Sequence, residues 1–127
     1  MNKPVKIPGP DHPITVTPTE GRVVVKAAGR VIADTRDALT LKEANYPPVQ
    51  YIPRHDTDMS ALTRTAHSTH CPYKGDASYY SLPSAENAVW SYEQPHPAMA
   101  AIKDRLAFYP DRVDSIEIGK AQEDSAA

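Results

Sequence analysis

The sequence predicts a mainly β protein, an antiparallel sandwich or partly open barrel of short strands with one or two short helices. Three observations predict it. Proline fills 13 of the 127 positions against 5 glycines, roughly twice its usual share of about 5%, and proline interrupts helices. Short runs rich in β-branched and aromatic residues recur between turn residues. Neither a sustained βαβ alternation nor an internal repeat is present, which argues for antiparallel pairing.

The elements follow in chain order. Pro4, Pro8, Pro10, Pro13 and Pro18 remove backbone donors and hold the start of the chain extended, so residues 1–13 read as a proline-rich arm. A single β-rich domain is expected over 14–118, and the small polar residues from Gly119 to Ala127 as a frayed tail. The first strand begins near Ile14 to Thr17. Val23, Val24 and Val25 are adjacent and stiff at χ1, which predicts a strand over Arg22 to Lys26. A matching run from Arg30 to Thr35 completes a hairpin, with Ala27, Ala28 and Gly29 as a type I turn closed by a left-handed glycine.

Asp37 to Lys42 is a further strand, and Pro47 with Pro48 bends the chain before a strand over Val49 to Ile52. A helix of at most two turns is expected from Asp56, with Asp56 as its N-cap and Met59 and Leu62 on one side. Thr65 to His70, Asp76 to Leu82 and Ala88 to Glu93 follow as strands, separated by Pro72, Gly75 and Pro83. Alternation places Ala88, Trp90 and Tyr92 on one face and Val89, Ser91 and Glu93 on the other. Pro97 opens a second short helix through Arg105, and strands over Leu106 to Tyr109 and Val113 to Ile118 close the pattern.

Composition bounds the partners. A net charge of −2, with 40% hydrophobic and 24% charged residues, gives no attraction to nucleic acid and no signature of disorder. No apolar run approaches the ~20 residues of a membrane span, and Met1 to Pro4 lacks the apolar stretch of a signal peptide. These features, with one cysteine that cannot form an internal disulfide, predict a soluble cytoplasmic protein with no membrane partner.

Candidate chemistry concentrates between Thr69 and Tyr80. Cys71, Lys74 and Asp76 lie around Pro72 and Gly75, whose backbone preferences aim the loop. Lys74 is the nearest cation that could favour a Cys71 thiolate, so Cys71 is a candidate nucleophile or redox thiol. The alternative is a small buried cysteine on a turn, with Lys74 a surface charge. His67, His70 and Cys71 supply only one ligand group of the two that a structural zinc site needs, so no metal site is assigned. Asp56 and Asp58 form an Asp-x-Asp pair that can hold magnesium, but no phosphate-cradling glycine loop accompanies it, and helix capping also explains it. Tyr46, Tyr51, Tyr73, Tyr79, Tyr80, Trp90, Tyr92, Phe108 and Tyr109 suit either a pocket wall or a polar-edged core.

Tyr51-x-Pro53-x-x-Asp56, Thr69-x-Cys71-Pro72-x-Lys74-Gly75-x-Ala77-x-Tyr79, Trp90-x-Tyr92-x-x-Pro95 and Phe108-Tyr109 resemble the successive motifs of domain-of-unknown-function family 427 (DUF427). The resemblance covers about Gly21 to Val113. It implies a small, mainly β, single-domain soluble protein, and it carries no established reaction, substrate, cofactor or functional residue. A nucleotidyltransferase label sometimes attached to the family would imply a nucleotide-handling enzyme.

The reading that unites these features is a small-molecule-binding β domain with a pocket around the Cys71 to Gly75 loop. Tyr51, Thr69, Tyr73, Tyr79, Trp90 and Tyr92 are the expected ligand-binding residues. If the domain is an enzyme, Cys71 is the nucleophile, Lys74 its activating cation and Asp56 a polar orienter. Cys71, Lys74, Tyr51 and Trp90 should then line one concave surface. The alternatives are a non-catalytic protein-interaction module using the arm or a sheet edge, and a nucleotide-handling transferase. No cofactor is assigned.

Overall fold

The computed structural model describes residues 4–119. Ten strands follow one another: β1 (Ile14–Pro18), β2 (Arg22–Ala27), β3 (Arg30–Thr35), β4 (Leu39–Glu43), β5 (Val49–Tyr51), β6 (Thr63–Cys71), β7 (Gly75–Leu82), β8 (Ala85–Ser91), β9 (Leu106–Phe108) and β10 (Ser115–Gly119). They form three antiparallel sheets, ordered β1-β4-β5, β10-β2-β3 and β6-β7-β8-β9. Among the described residues no sheet closes into a barrel. A bridge between Ile52 and Leu106 joins the first sheet to the third, through two backbone hydrogen bonds of 2.8 Å. The fold is therefore mainly β and partly open, as expected. None of the described helices is long and apolar enough to cross a membrane.

The third sheet, extended by the end of β5, is the shared wall of two hydrophobic clusters. Strand alternation divides its side chains: Ile52, Tyr80, Val89, Leu106 and Phe108 join Val23, Val25 and Ile32 of the second sheet. Tyr51, Tyr79, Tyr92 and Ala107 instead join Leu41, Met99 and Ile102 on the opposite face. Trp90 packs with this second cluster and Val89 with the first, in line with the expected alternation, but Ala88 also belongs to the first.

β2 alternates buried and partly buried residues along its whole length, with Val23 and Val25 fully enclosed. Its turn differs from the expectation. Ala27 pairs with Arg30, and both Ala28 (φ 51) and Gly29 (φ 77) are left-handed. That is a two-residue turn of the I′ kind, whose twist matches the strands better than a type I turn does. A register shift beside Val25 accommodates Ile32 as an extra residue in β3.

The helix expected from Asp56 is replaced by two one-turn 3-10 segments, Arg54–Asp56 and Met59–Ala61. Thr57 between them is extended and bridges to Ala33, and the Asp58 amide donates to the Ile32 carbonyl at 2.7 Å. Pairing with β3 thus competes with an α-helical turn and wins. The cap is also one aspartate later: Asp58 accepts from the Ser60 amide, while Asp56 accepts from the Thr35 hydroxyl at 2.6 Å. Met59 and Leu62 pack against the first cluster. Pro97 does open a helical segment, again 3-10, which kinks at Met99 and ends at Ile102 rather than Arg105.

The arm meets the β6–β7 loop at Lys6, whose amide donates to the Pro72 carbonyl at 3.0 Å, and at His12, whose ring stacks on Tyr73. The expected C-terminal fraying from Lys120 on, and residues 1–3 of the arm, lie outside the described residues.

Exposed Ala28 holds a positive φ without glycine's freedom, at a cost of about 1 kcal/mol. Ala28→Asn, which restores an Asn-Gly type I′ turn, is expected to raise stability by about 0.5–1 kcal/mol. Urea unfolding checks this, and a lowered midpoint contradicts the turn assignment.

Candidate functional site

The β6–β7 hairpin aims the central side chain. Cys71 pairs with Gly75, leaving Pro72, Tyr73 and Lys74 as the loop. Gly75 has φ +111, and a Cβ there would meet the Gln94 carbonyl at 3.3 Å, so glycine is required twice over. The loop backbone is held from both sides, by Lys6 at the Pro72 carbonyl and by the His96 amide, which donates to the Lys74 carbonyl at 3.0 Å.

So constrained, Lys74 turns inward and is only 8% exposed. Its Nζ donates to Glu43 Oε1 at 2.5 Å. Glu43 ends β4, in phase with buried Leu41, and its other oxygen bonds His12 Nε2 at 2.7 Å. The His12 ring stacks on Tyr73, with centroids 4.2 Å apart. Burial pushes the Glu43 carboxyl up, but the hydrogen bonds from Lys74 and His12 outweigh it and hold the group below the usual carboxylate range.

The pair borders a cavity of about 230 Å³ walled by Tyr51, Tyr79, Trp90, Tyr92 and Tyr109, with exposed Tyr46 and Pro47 beside it. Trp90 Nε1 donates to the Tyr51 hydroxyl at 3.2 Å. The Tyr79 hydroxyl meets those of Thr69 at 3.0 Å and Tyr109 at 3.3 Å. Burial raises the Tyr51 and Tyr92 hydroxyls far above the ordinary tyrosine range. Tyr109 is pushed up to about 12, by burial and by its hydrogen bond with Tyr79. All three stay protonated at neutral pH, and each can donate a hydrogen bond.

Of the residues expected at the site, Lys74, Tyr51, Tyr79, Trp90 and Tyr92 line this one cavity. Thr69 is exposed and reaches it only through the Tyr79 hydroxyl. Tyr73 turns away to His12 and Lys6. Cys71 is half-buried and packs against the same aromatic cluster, next to the wall rather than in it. Asp56 belongs elsewhere, in a surface depression with Arg22, Asp34 and Arg36. The alternation of Leu39, Leu41 and Glu43 carried a signal for Glu43, a carboxylate in phase with a buried leucine. His12 had no such signal, since its contact depends on how the arm docks.

The family model described as domain of unknown function DUF427 matches residues 15–119. The chain belongs to this family. The match spans β1 to β10 almost entirely, so all strands that build the cavity are part of the DUF427 domain, whereas His12 lies in the segment before it. No curated protein matches the chain.

A second polar network of the DUF427 domain lies where β8 ends. Glu93 accepts from Arg54 and Arg64 at 2.9 Å, from the Tyr80 hydroxyl at 2.7 Å and from Ser78 at 3.1 Å. Burial opposes ionisation, but these hydrogen bonds more than offset it, and the carboxyl is held at about 2. Among the described residues no group of three or more His, Cys, Asp and Glu side chains is arranged to hold a metal ion.

Two outcomes follow. Gly75→Ala forces both a positive φ and the Gln94 contact, and should cost about 1–2 kcal/mol by urea unfolding; an unchanged midpoint contradicts the loop geometry. The depressed Glu93 carboxyl contributes stability that is complete above the ordinary value of 4.5 and is lost as pH falls through about 2. Unfolding midpoints should therefore decline over that interval, and Glu93→Gln should flatten the decline. An equal pH slope in the variant contradicts the assignment.

Proposed function

We propose that this protein binds a small planar molecule that carries an oxygen acceptor, with its ring between the aromatic walls and its acceptor on Lys74. The observation that supports this reading is a nearly buried ammonium facing a cavity walled by aromatic rings. An ammonium has three donors, and among the described residues Glu43 takes one of them. The remaining N–H groups favour a carbonyl or carboxylate oxygen, and the Tyr92 ring lies 5.9 Å from Nζ in a cation–π contact.

Size narrows the class. A dry cavity of about 150 Å³ holds benzene. On that scale the cavity of about 230 Å³ takes about nine heavy atoms, one ring with a polar substituent. A nucleotide is several times larger, so size argues against the nucleotide-handling alternative at this cavity. The reading concerns binding, and it assigns no reaction to Cys71.

Trp90 is the single tryptophan, so its emission reports on the cavity directly. Benzoate is expected to change that emission saturably. Lys74→Met/Glu43→Gln, which removes both charges and strands neither, should weaken benzoate by at least tenfold, the worth of a charge-assisted hydrogen bond. An emission that never saturates, or equal affinity in the double variant, overturns the reading.

A further inference from the structure

A larger cavity, of about 380 Å³, lies on the other face of the shared wall. Val25, Ile52, Phe108, Pro110, Ile116 and Ile118 line it. Its polar neighbour, Gln50, is already engaged: Oε1 accepts from Thr19 at 2.6 Å and Nε2 donates to Thr40 at 3.0 Å. The walls therefore offer contact to hydrocarbon and little else, and Ile118 stands 55% exposed beside it. The recess opens to solvent on one side, and apolar surface left in water there gains by taking up hydrocarbon.

Val49 and Trp90 line both cavities. The strand pairing explains how one residue can serve two faces. β5 and β9 meet at the antiparallel Ile52–Leu106 bridge. Continued in register, Tyr51 would pair with Ala107 and Val49 with Tyr109, yet among the described residues β5 pairs only with β4 and β9 only with β8. Beyond the bridge the two strands stay close, but no backbone ladder closes the space between them among the described residues. Val49 of β5 and the Trp90 side chain, whose backbone pairs within the third sheet with Tyr79 and Ala107, lie between the Lys74 cavity and the apolar one.

We propose that the two cavities are the ends of one binding site for an amphipathic small molecule. Its ring and acceptor lie at Lys74, and its aliphatic chain passes between β5 and β9, beside Trp90, into the apolar cavity. The inference rests on the reading of the Lys74 cavity given above. Taking benzene's six carbons in about 150 Å³ as the scale, the apolar cavity of about 380 Å³ has room for a chain of about fifteen carbons. The occupant is thus an acyl or alkyl chain on a one-ring acid or carbonyl compound, rather than a second polar ligand.

The test is a homologous series, benzoate and its 4-butyl, 4-hexyl and 4-octyl derivatives, titrated against the full chain with Trp90 emission as readout. Dissociation constants should fall about fourfold per added methylene while the chain is being buried, a fall that continues through the octyl member because the cavity has room for a longer chain. Ile118→Asp, at a β10 position that is 55% exposed and borders the cavity, should flatten this dependence in a variant whose urea unfolding midpoint shows it folded. Benzoate that binds with no gain from the chain means two separate cavities, and overturns the proposal while leaving the Lys74 reading intact. No binding by any member overturns both. An equal slope in Ile118→Asp assigns the gain to a different surface and overturns the proposal. A chain dependence that emerges only after residues 120–127 are removed makes the protein's own tail the occupant, with the same consequence.

Discussion

The ion pair between Lys74 and Glu43 is the constraint on which the rest of the structure depends. Its side chains are 10% and 15% exposed, and each charge taken so far from water costs several kcal/mol unless it is met by a partner and further hydrogen bonds. The fold meets that requirement with residues 31 positions apart. β4 must end at Glu43, the β6–β7 hairpin must turn inward at Lys74, and His12 must reach the second carboxylate oxygen. The left-handed Gly75 and the two backbone hydrogen bonds on the loop serve this one placement. A charged group held this way is a poor means of gaining stability, since apolar residues of the same shape would do as well. Its position beside an aromatic cavity is the feature that the proposed ligand reading accounts for.

The wall that carries the site works because neighbouring strand residues face opposite ways. Tyr79 and Tyr80, Tyr51 and Ile52, Val89 and Trp90, and Ala107 and Phe108 each send one side chain to each hydrophobic cluster. One sheet thus closes a core against β2 and β3 and lines a cavity on its other face. Tyrosine dominates the cavity side, where every hydroxyl needs a hydrogen-bond partner or access to the open space. The Glu93 network holds β6, β7 and the 3-10 turn at Arg54 together from the edge of the same sheet, so the wall is braced away from the cavity.

Much of this was legible in the sequence. Three adjacent valines and an Ala-Ala-Gly turn mark β2 and β3, and the prolines at 53, 72 and 97 bound elements where they were expected to. Lys74, Tyr51, Tyr79, Trp90 and Tyr92 could be brought together in advance because strand phase and loop chemistry are local properties. Whatever depends on distant partners was harder to read. Asp56 resembled a helix cap, but Thr57 and Asp58 bond to β3 and the helix never forms. His12 joined the site only because the arm docks on Pro72. The type I′ turn was missed since alanine rarely takes a positive φ, and only strand twist forces it there.

The most direct measurement is a double-mutant cycle on stability, using Lys74→Met, Glu43→Gln and the two combined. Each single change strands one buried polar partner, so each should be costly, and the combined change should cost less than their sum by about 2 kcal/mol. Costs that add to within about 0.5 kcal/mol would mean that the two side chains are energetically independent, and would contradict the central place given to this pair.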